Sequence, residues 1–96
     1  MTIEQKKAKE FTDSVGYSVD VRTCLLDTGS ELGEVYKEYL EATNYGEIEF
    51  LPSENWTLEI GDVFYSLCCV ANATSVDLAE ALDLALAKYR SRMSSE

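Results

Sequence analysis

The chain has 96 residues, 46% of them hydrophobic, with 18 acids against 8 bases and no histidine, so its formal net charge is −10. That length fits one small domain, 1–96, which hides only about 60–65% of its unfolded surface and gains much from association. The charge repels nucleic-acid phosphates and anionic membranes, which excludes both as expected partners, while the hydrophobic fraction argues against disorder.

The opening residues, "MTIEQKKAKE", lack the apolar core of a secretory signal. Residues 2–14 read as a short polar helix with Ile3, Ala8 and Phe11 as its few apolar members and Gly16 as its stop. This lead-in, 1–18, precedes a bundle expected over 19–93. Residues 19–43 form a longer helix, with Leu25, Leu32, Tyr36 and Tyr39 at helical spacing. Gly29 and Gly33 each cost about 1 kcal/mol against alanine inside it, which points to close packing there. Asn44, Gly46 and the single proline, Pro52, mark residues 44–54 as a loop, within which "IEF" has the makings of a brief extended piece. Residues 54–73 resume a helix, capped by Ser53 or Asn55, whose wide apolar face places it at the centre of a bundle. The last helix spans 77–93, opened by an Asp77/Glu80 capping box and closed by Lys88, Arg90 and Arg92. The expected fold is all-α, a bundle of about four helices whose core is completed by homo-oligomerisation.

The longest apolar stretch, "VFYSLCCVANA", is too short to span a bilayer. Cys24, Cys68 and Cys69 make neither a disulfide framework nor a zinc motif, and read as buried reduced thiols in a cytoplasmic protein.

One acidic cassette is written twice: "ELGEVY" at 31–36 returns as "EIGDVF" at 59–64. Glu31 and Glu34 lie three apart on one helix, as do Glu59 and Asp62 on another, so each pair shares a face. If the two helices pack antiparallel, four carboxylates converge. Two such charges ~5 Å apart repel by about 3 kcal/mol at an effective dielectric near 20. Protons or a divalent cation must compensate, and an all-oxygen site favours Mg²⁺ or Mn²⁺. Gly33 and Gly61 hold equivalent places in the two copies and leave room for a helix or ligand to approach. Glu38, one turn beyond Glu34, is the acid outside the cassettes most able to assist.

"SELGEVYKE" followed by "LEIGDVFYSL" resembles the MazG-like nucleotide pyrophosphohydrolases, whose pattern is E-E-x-x-E, a spacer, then E-x-x-D. Ser30 stands at the leading glutamate, while Glu59-Ile60-Gly61-Asp62 is intact. The likeness continues into "VDLAEALDLALAKYRSR" and covers about residues 20–93. It implies metal ligands at Glu31, Glu34, Glu59 and Asp62, and cleavage of an NTP or dNTP to the monophosphate and pyrophosphate. House-cleaning of unwanted nucleotides would be its purpose. Glu34 or Glu38 would orient water or take its proton, and Lys88 and Arg92 would hold phosphates. Phe11, Tyr17, Trp56 and Tyr65 are candidates for stacking on the base, and Asn72 for its edge. The resemblance also implies a homodimer or homotetramer. The competing reading is a non-catalytic helical oligomer that binds a partner and uses the acids as a structural cation site.

Overall fold

The structure, a computed structural model, describes residues 1–17 and 19–94. Over these residues the chain is all-helical, with no strand: α1 (Ile3–Val15), α2 (Val21–Ala42), α3 (Glu54–Ala73) and α4 (Leu78–Ser94). The expected elements are all present, and only the extended "IEF" piece is absent. No described helix is long and apolar enough to cross a membrane.

Local chemistry sets the boundaries. Thr2 and Gln5 form a reciprocal capping box at the start of α1, and Gly16 ends that helix with φ +70°, a left-handed conformation that glycine adopts without steric cost. Asp20 caps α2 by accepting from the Thr23 amide at 3.2 Å. Buried Thr43 organises the turn beyond α2: its hydroxyl donates to the Tyr39 carbonyl (2.9 Å) and accepts from the Gly46 amide (3.0 Å). Ser53 occupies the N-cap of α3 but makes no side-chain cap bond there. Its hydroxyl donates instead to Glu38. Asp77 accepts from the Glu80 amide at 2.9 Å, half of the expected capping box.

Helix α3 is central, packed along α2 on one side and along α1 on another. Both neighbours run antiparallel to it. On α1, Gln5 meets Asn72 and Thr12 meets Tyr65, so α1 ascends as α3 descends. On α2, Asp27 meets Ser66 and Glu38 meets Asn55. At the far tip the rings of Tyr39, Phe50 and Trp56 stack in series, with centroids 5.0 and 4.9 Å apart.

The α1–α3–α4 corner is held by an amide rather than by an apolar plug. Gln5 is 1% exposed. Its Nε2 donates to Asn72 Oδ1 (2.9 Å) and to the Val76 carbonyl (2.7 Å), while its Oε1 accepts from the amides of Thr2 (3.1 Å) and Leu78 (2.9 Å). All of its hydrogen-bonding capacity is used.

The rest of the molecule is open. Among the described residues the buried apolar side chains are small: Ala8, Cys24, Val35, Cys68 and Ala71. Helix α4 has no buried residue, and Leu82, Leu84, Tyr89 and Met93 are all exposed. The radius of gyration is 16.3 Å, against about 13 Å for a compact chain of ~100 residues. Gly29, Gly33 and Gly61 do not mark close packing within the chain: nothing lies within 4 Å of where a Cβ would stand at any of them.

Gln5→Ala leaves four part-buried groups short of a partner and is expected to destabilise the fold by about 1–3 kcal/mol, read from the urea midpoint at unchanged m-value.

Candidate functional site

Helices α2 and α3 present matching polar stripes to each other. On α2, Asp27, Glu31, Glu34 and Glu38 follow spacings of four, three and four; on α3, Asn55, Glu59, Asp62 and Ser66 do the same. Such spacings keep side chains within about 60° of one another around a helix. The antiparallel packing then sets the stripes face to face. Asp27 accepts from Ser66 Oγ at 2.9 Å, with Ser66 itself buried. At the other end Glu38 accepts from Ser53 Oγ (3.3 Å) and, at the limit of hydrogen-bond distance, from Asn55 Nδ2 (3.5 Å).

Between these two ends sit half-buried Glu31, Glu59 and Asp62, each with a carboxylate oxygen within 4.8 Å of the others. That is close to the roughly 4.2 Å that separates opposite oxygens around one Mg²⁺. No described lysine or arginine pairs with any of the three. Loss of hydration pushes the Glu31 carboxyl up, followed by the charges of Asp62, Asp27, Glu59 and Glu34. Glu59 is raised likewise, by loss of hydration and then by Asp62, Glu34 and Glu38. The group is chemically suited to a hard divalent cation: three anionic oxygens, with no imidazole or thiolate among them.

The sequence-derived candidates separate in space. Glu31, Glu59 and Asp62 come together. Glu34 is exposed and lies outside that group, though its charge is felt by Glu31 and Glu59. Glu38 is engaged at the start of α3. Lys88 and Arg92 ride on α4, which packs along neither α2 nor α3, and the Lys88 ammonium sits over the ring of Tyr89 at 5.1 Å. Trp56 belongs to the ring stack at the far tip. Asn72 takes part in the Gln5 corner, donating to the Gln5 carbonyl at 3.1 Å as well as accepting from its amide.

Tyr65 lies elsewhere. With Tyr17, Thr23, Cys24, Asp27 and Cys69 it lines a cavity of about 280 Å³, connected to the acidic group through Asp27, one turn before Glu31, whose charge Glu31 feels. Phe11 props both tyrosines edge-on, at centroid distances of 5.9 and 5.8 Å. Thr12 gives its own proton to the Ala8 carbonyl (2.7 Å), so in the 2.6 Å contact with Thr12 the Tyr65 phenol is the donor. Burial raises the Tyr65 phenol and the Cys24 thiol above their ordinary values, keeping both protonated. Asp27 and Thr23 were not among the candidates. Asp27 was detectable by carrying the acidic spacing of α2 one turn back from Glu31.

A family model, the MazG nucleotide pyrophosphohydrolase domain, matches residues 22–95. No curated protein and no solved structure matches the chain significantly.

Raised carboxyls mean that the folded chain binds protons here which the unfolded chain releases. Without divalent cation, stability contributed by Glu31 and Glu59 is therefore expected to fall as pH rises from 4.5 through their raised values. In chelator at pH 7, Glu59→Gln should melt at or above the wild type, and Mg²⁺ should raise the wild-type midpoint more than that of the variant. Differential scanning fluorimetry reads both.

Proposed function

The chain belongs to the MazG nucleotide pyrophosphohydrolase domain family, and from that membership and its acidic group we propose that it hydrolyses nucleoside triphosphates, NTPs or dNTPs, to the monophosphate and pyrophosphate. The observation that carries this reading is the convergence of Glu31, Glu59 and Asp62 from two helices. These three would hold Mg²⁺, or Mn²⁺ in its place. Such an ion, when bound, neutralises phosphate charge and makes a water more acidic.

The chain's own groups divide the remaining work. Glu34 is exposed, one turn from Glu31 and near the edge of the acidic group. A solvated carboxylate at that place is suited to accept a proton from the attacking water. Glu38 has both carboxylate oxygens engaged by Ser53 and Asn55, which suits it to hold the start of α3 against α2 rather than to move a proton. Of the two bases that the sequence left open, we therefore favour Glu34. The cavity lined by Tyr17 and Tyr65 adjoins the acidic group and is the best place for the base.

The phosphate contacts require a second copy. Lys88 and Arg92 lie on a helix that does not pack against its own acidic group. The accessible surface is 7193 Å², whereas a compact chain of this mass exposes about 5,500 Å². The difference, roughly 1,700 Å², is what one subunit of an obligate dimer buries. We propose that copies associate through α4 and the outer faces of α2 and α3, as a homodimer or homotetramer in the cytoplasm, and that Lys88 and Arg92 reach the phosphates of a neighbouring copy.

Purified protein with a panel of NTPs and dNTPs and Mg²⁺ or Mn²⁺ should release pyrophosphate. Glu59→Gln should lose about 100-fold or more in rate while remaining folded, since even groups that merely support a metal ligand cost 10–100-fold. Glu34→Gln should lower kcat by about 10²–10⁴-fold yet keep the Mg²⁺-induced rise in melting temperature. No pyrophosphate from any nucleotide would transfer the acids to the structural-cation reading. Light scattering at micromolar concentration should give at least twice the chain mass of 10.7 kDa.

A further inference from the structure

The cavity beside the acidic group has two chemically distinct walls. One is aromatic, formed by Tyr17 and Tyr65, both steadied by Phe11. The other is polar, formed by Thr23 and Asp27, with the thiols of Cys24 and Cys69 completing the lining. An aromatic wall offers a stacking surface to any flat heterocycle. The polar wall does not treat all heterocycles alike. Asp27 is acceptor-only when ionised. One of its oxygens, Oδ2, already accepts from buried Ser66 at 2.9 Å, which orients the carboxylate and leaves Oδ1 open to a further donor.

On this basis, and resting on the reading of the site as a nucleotide pyrophosphohydrolase, we infer that the cavity selects nucleotides whose base carries an exocyclic amine, with Asp27 as the residue that reads it. Cytosine presents an amine at the position where uracil presents a carbonyl. A carboxylate so oriented accepts from the first and faces the lone pairs of the second; aspartate and glutamate read cytosine N4 in this way in nucleic-acid complexes. The two bases match in size and stacking and differ only along one edge, where uracil carries a ring N3 proton and a carbonyl in place of cytosine's N3 acceptor and amine, so the pair tests whether that edge is read from the amine side. A further acid near a triphosphate is a burden unless it contributes something specific. At Asp27 that contribution is discrimination in addition to its bond to Ser66, since its carboxylate lines the cavity and lies outside the three-carboxylate group.

The test compares kcat/KM for CTP and UTP, and for dCTP and dUTP, with Mg²⁺. Wild type should favour the cytosine nucleotide by about tenfold or more. Asp27→Asn keeps the size and an acceptor for Ser66 but adds a donor, and should bring the ratio close to one. Equal rates for the two bases, or a preference for uracil, would overturn the inference. So would an Asp27→Asn variant that slows both substrates equally and leaves the ratio unchanged, because Asp27 would then act on the phosphate chemistry alone. If no nucleotide is cleaved, the enzymatic reading fails separately, and calorimetry with CMP and UMP in chelator decides the inference by itself: tighter CMP binding sustains it, while equal binding or none defeats it.

Discussion

The rest of the structure depends on the register between α2 and α3. Two antiparallel helices bring polar stripes of identical spacing together, and the middle of the seam is repulsive: Glu31, Glu59 and Asp62 crowd one another, with no ion pair to them among the described residues. Left to themselves, such charges would drive the helices apart or slide them by a turn. The ends of the seam oppose this. Ser66 donates to Asp27 on one side of the acidic group, and Ser53 and Asn55 donate to Glu38 on the other. In both places an acid meets a donor from α3 or its N-cap; the 2.9 Å bond from buried Ser66 has the length of a strong charge-assisted one, while the longer, exposed contacts of Glu38 are weaker. The seam thus holds three carboxylates at near-coordinating distance by fastening the helices on either side of them.

The second support comes from α1. Gln5 fixes one end of that helix to the α3–α4 turn, and Thr12 fixes its middle to Tyr65. Between and beyond these contacts, Phe11 carries the ring contacts that hold Tyr17 and Tyr65 along one wall of the cavity. Side-chain polar contacts do this work because the apolar core is too thin to do it: the buried apolar residues are small. A buried amide with every donor and acceptor matched specifies one arrangement, since any shift of α1 leaves it short of partners.

Much of this was legible in the residues, and the reasons for the rest are physical. Helix periodicity and the scarcity of breakers gave the four helices to within about two residues, the usual uncertainty of helix ends. The repeated cassette located Glu31, Glu59 and Asp62, because three-residue spacing on a helix is a statement about geometry. The same spacing could not tell that Glu34 would turn out of the group while Asp27 turned toward the cavity. Glu34 and Asp27 stand within about 20° of each other around the helix, so it is the group opposite on α3, such as Ser66 facing Asp27, that decides which acid is drawn in. Gln5 was invisible for a related reason. A glutamine in a polar helix reads as surface until its partners, Asn72, Val76 and Leu78, arrive from the other end of the sequence. Gly33 and Gly61 suggested a close approach that this single chain does not make.

Two deficits in the isolated chain fit each other. The acidic group has more negative charge than its surroundings balance, and a triphosphate would add to it. Helix α4 carries Lys88, Arg90 and Arg92 toward its end and an apolar stripe of which Leu82, Leu84, Tyr89 and Met93 are exposed. Hydrophobic burial is favourable wherever the apolar surface comes from, so an uncovered stripe seeks a counterpart. The only surfaces guaranteed to be present at matching concentration are those of other copies. Association through α4 would then settle both shortages in one step: apolar side chains leave water, and cations approach a site that cannot be charge-balanced from within. On the proposed reading, a small chain that left α4 packed on its own α3 would gain a better core and lose the means of bringing positive charge to a triphosphate.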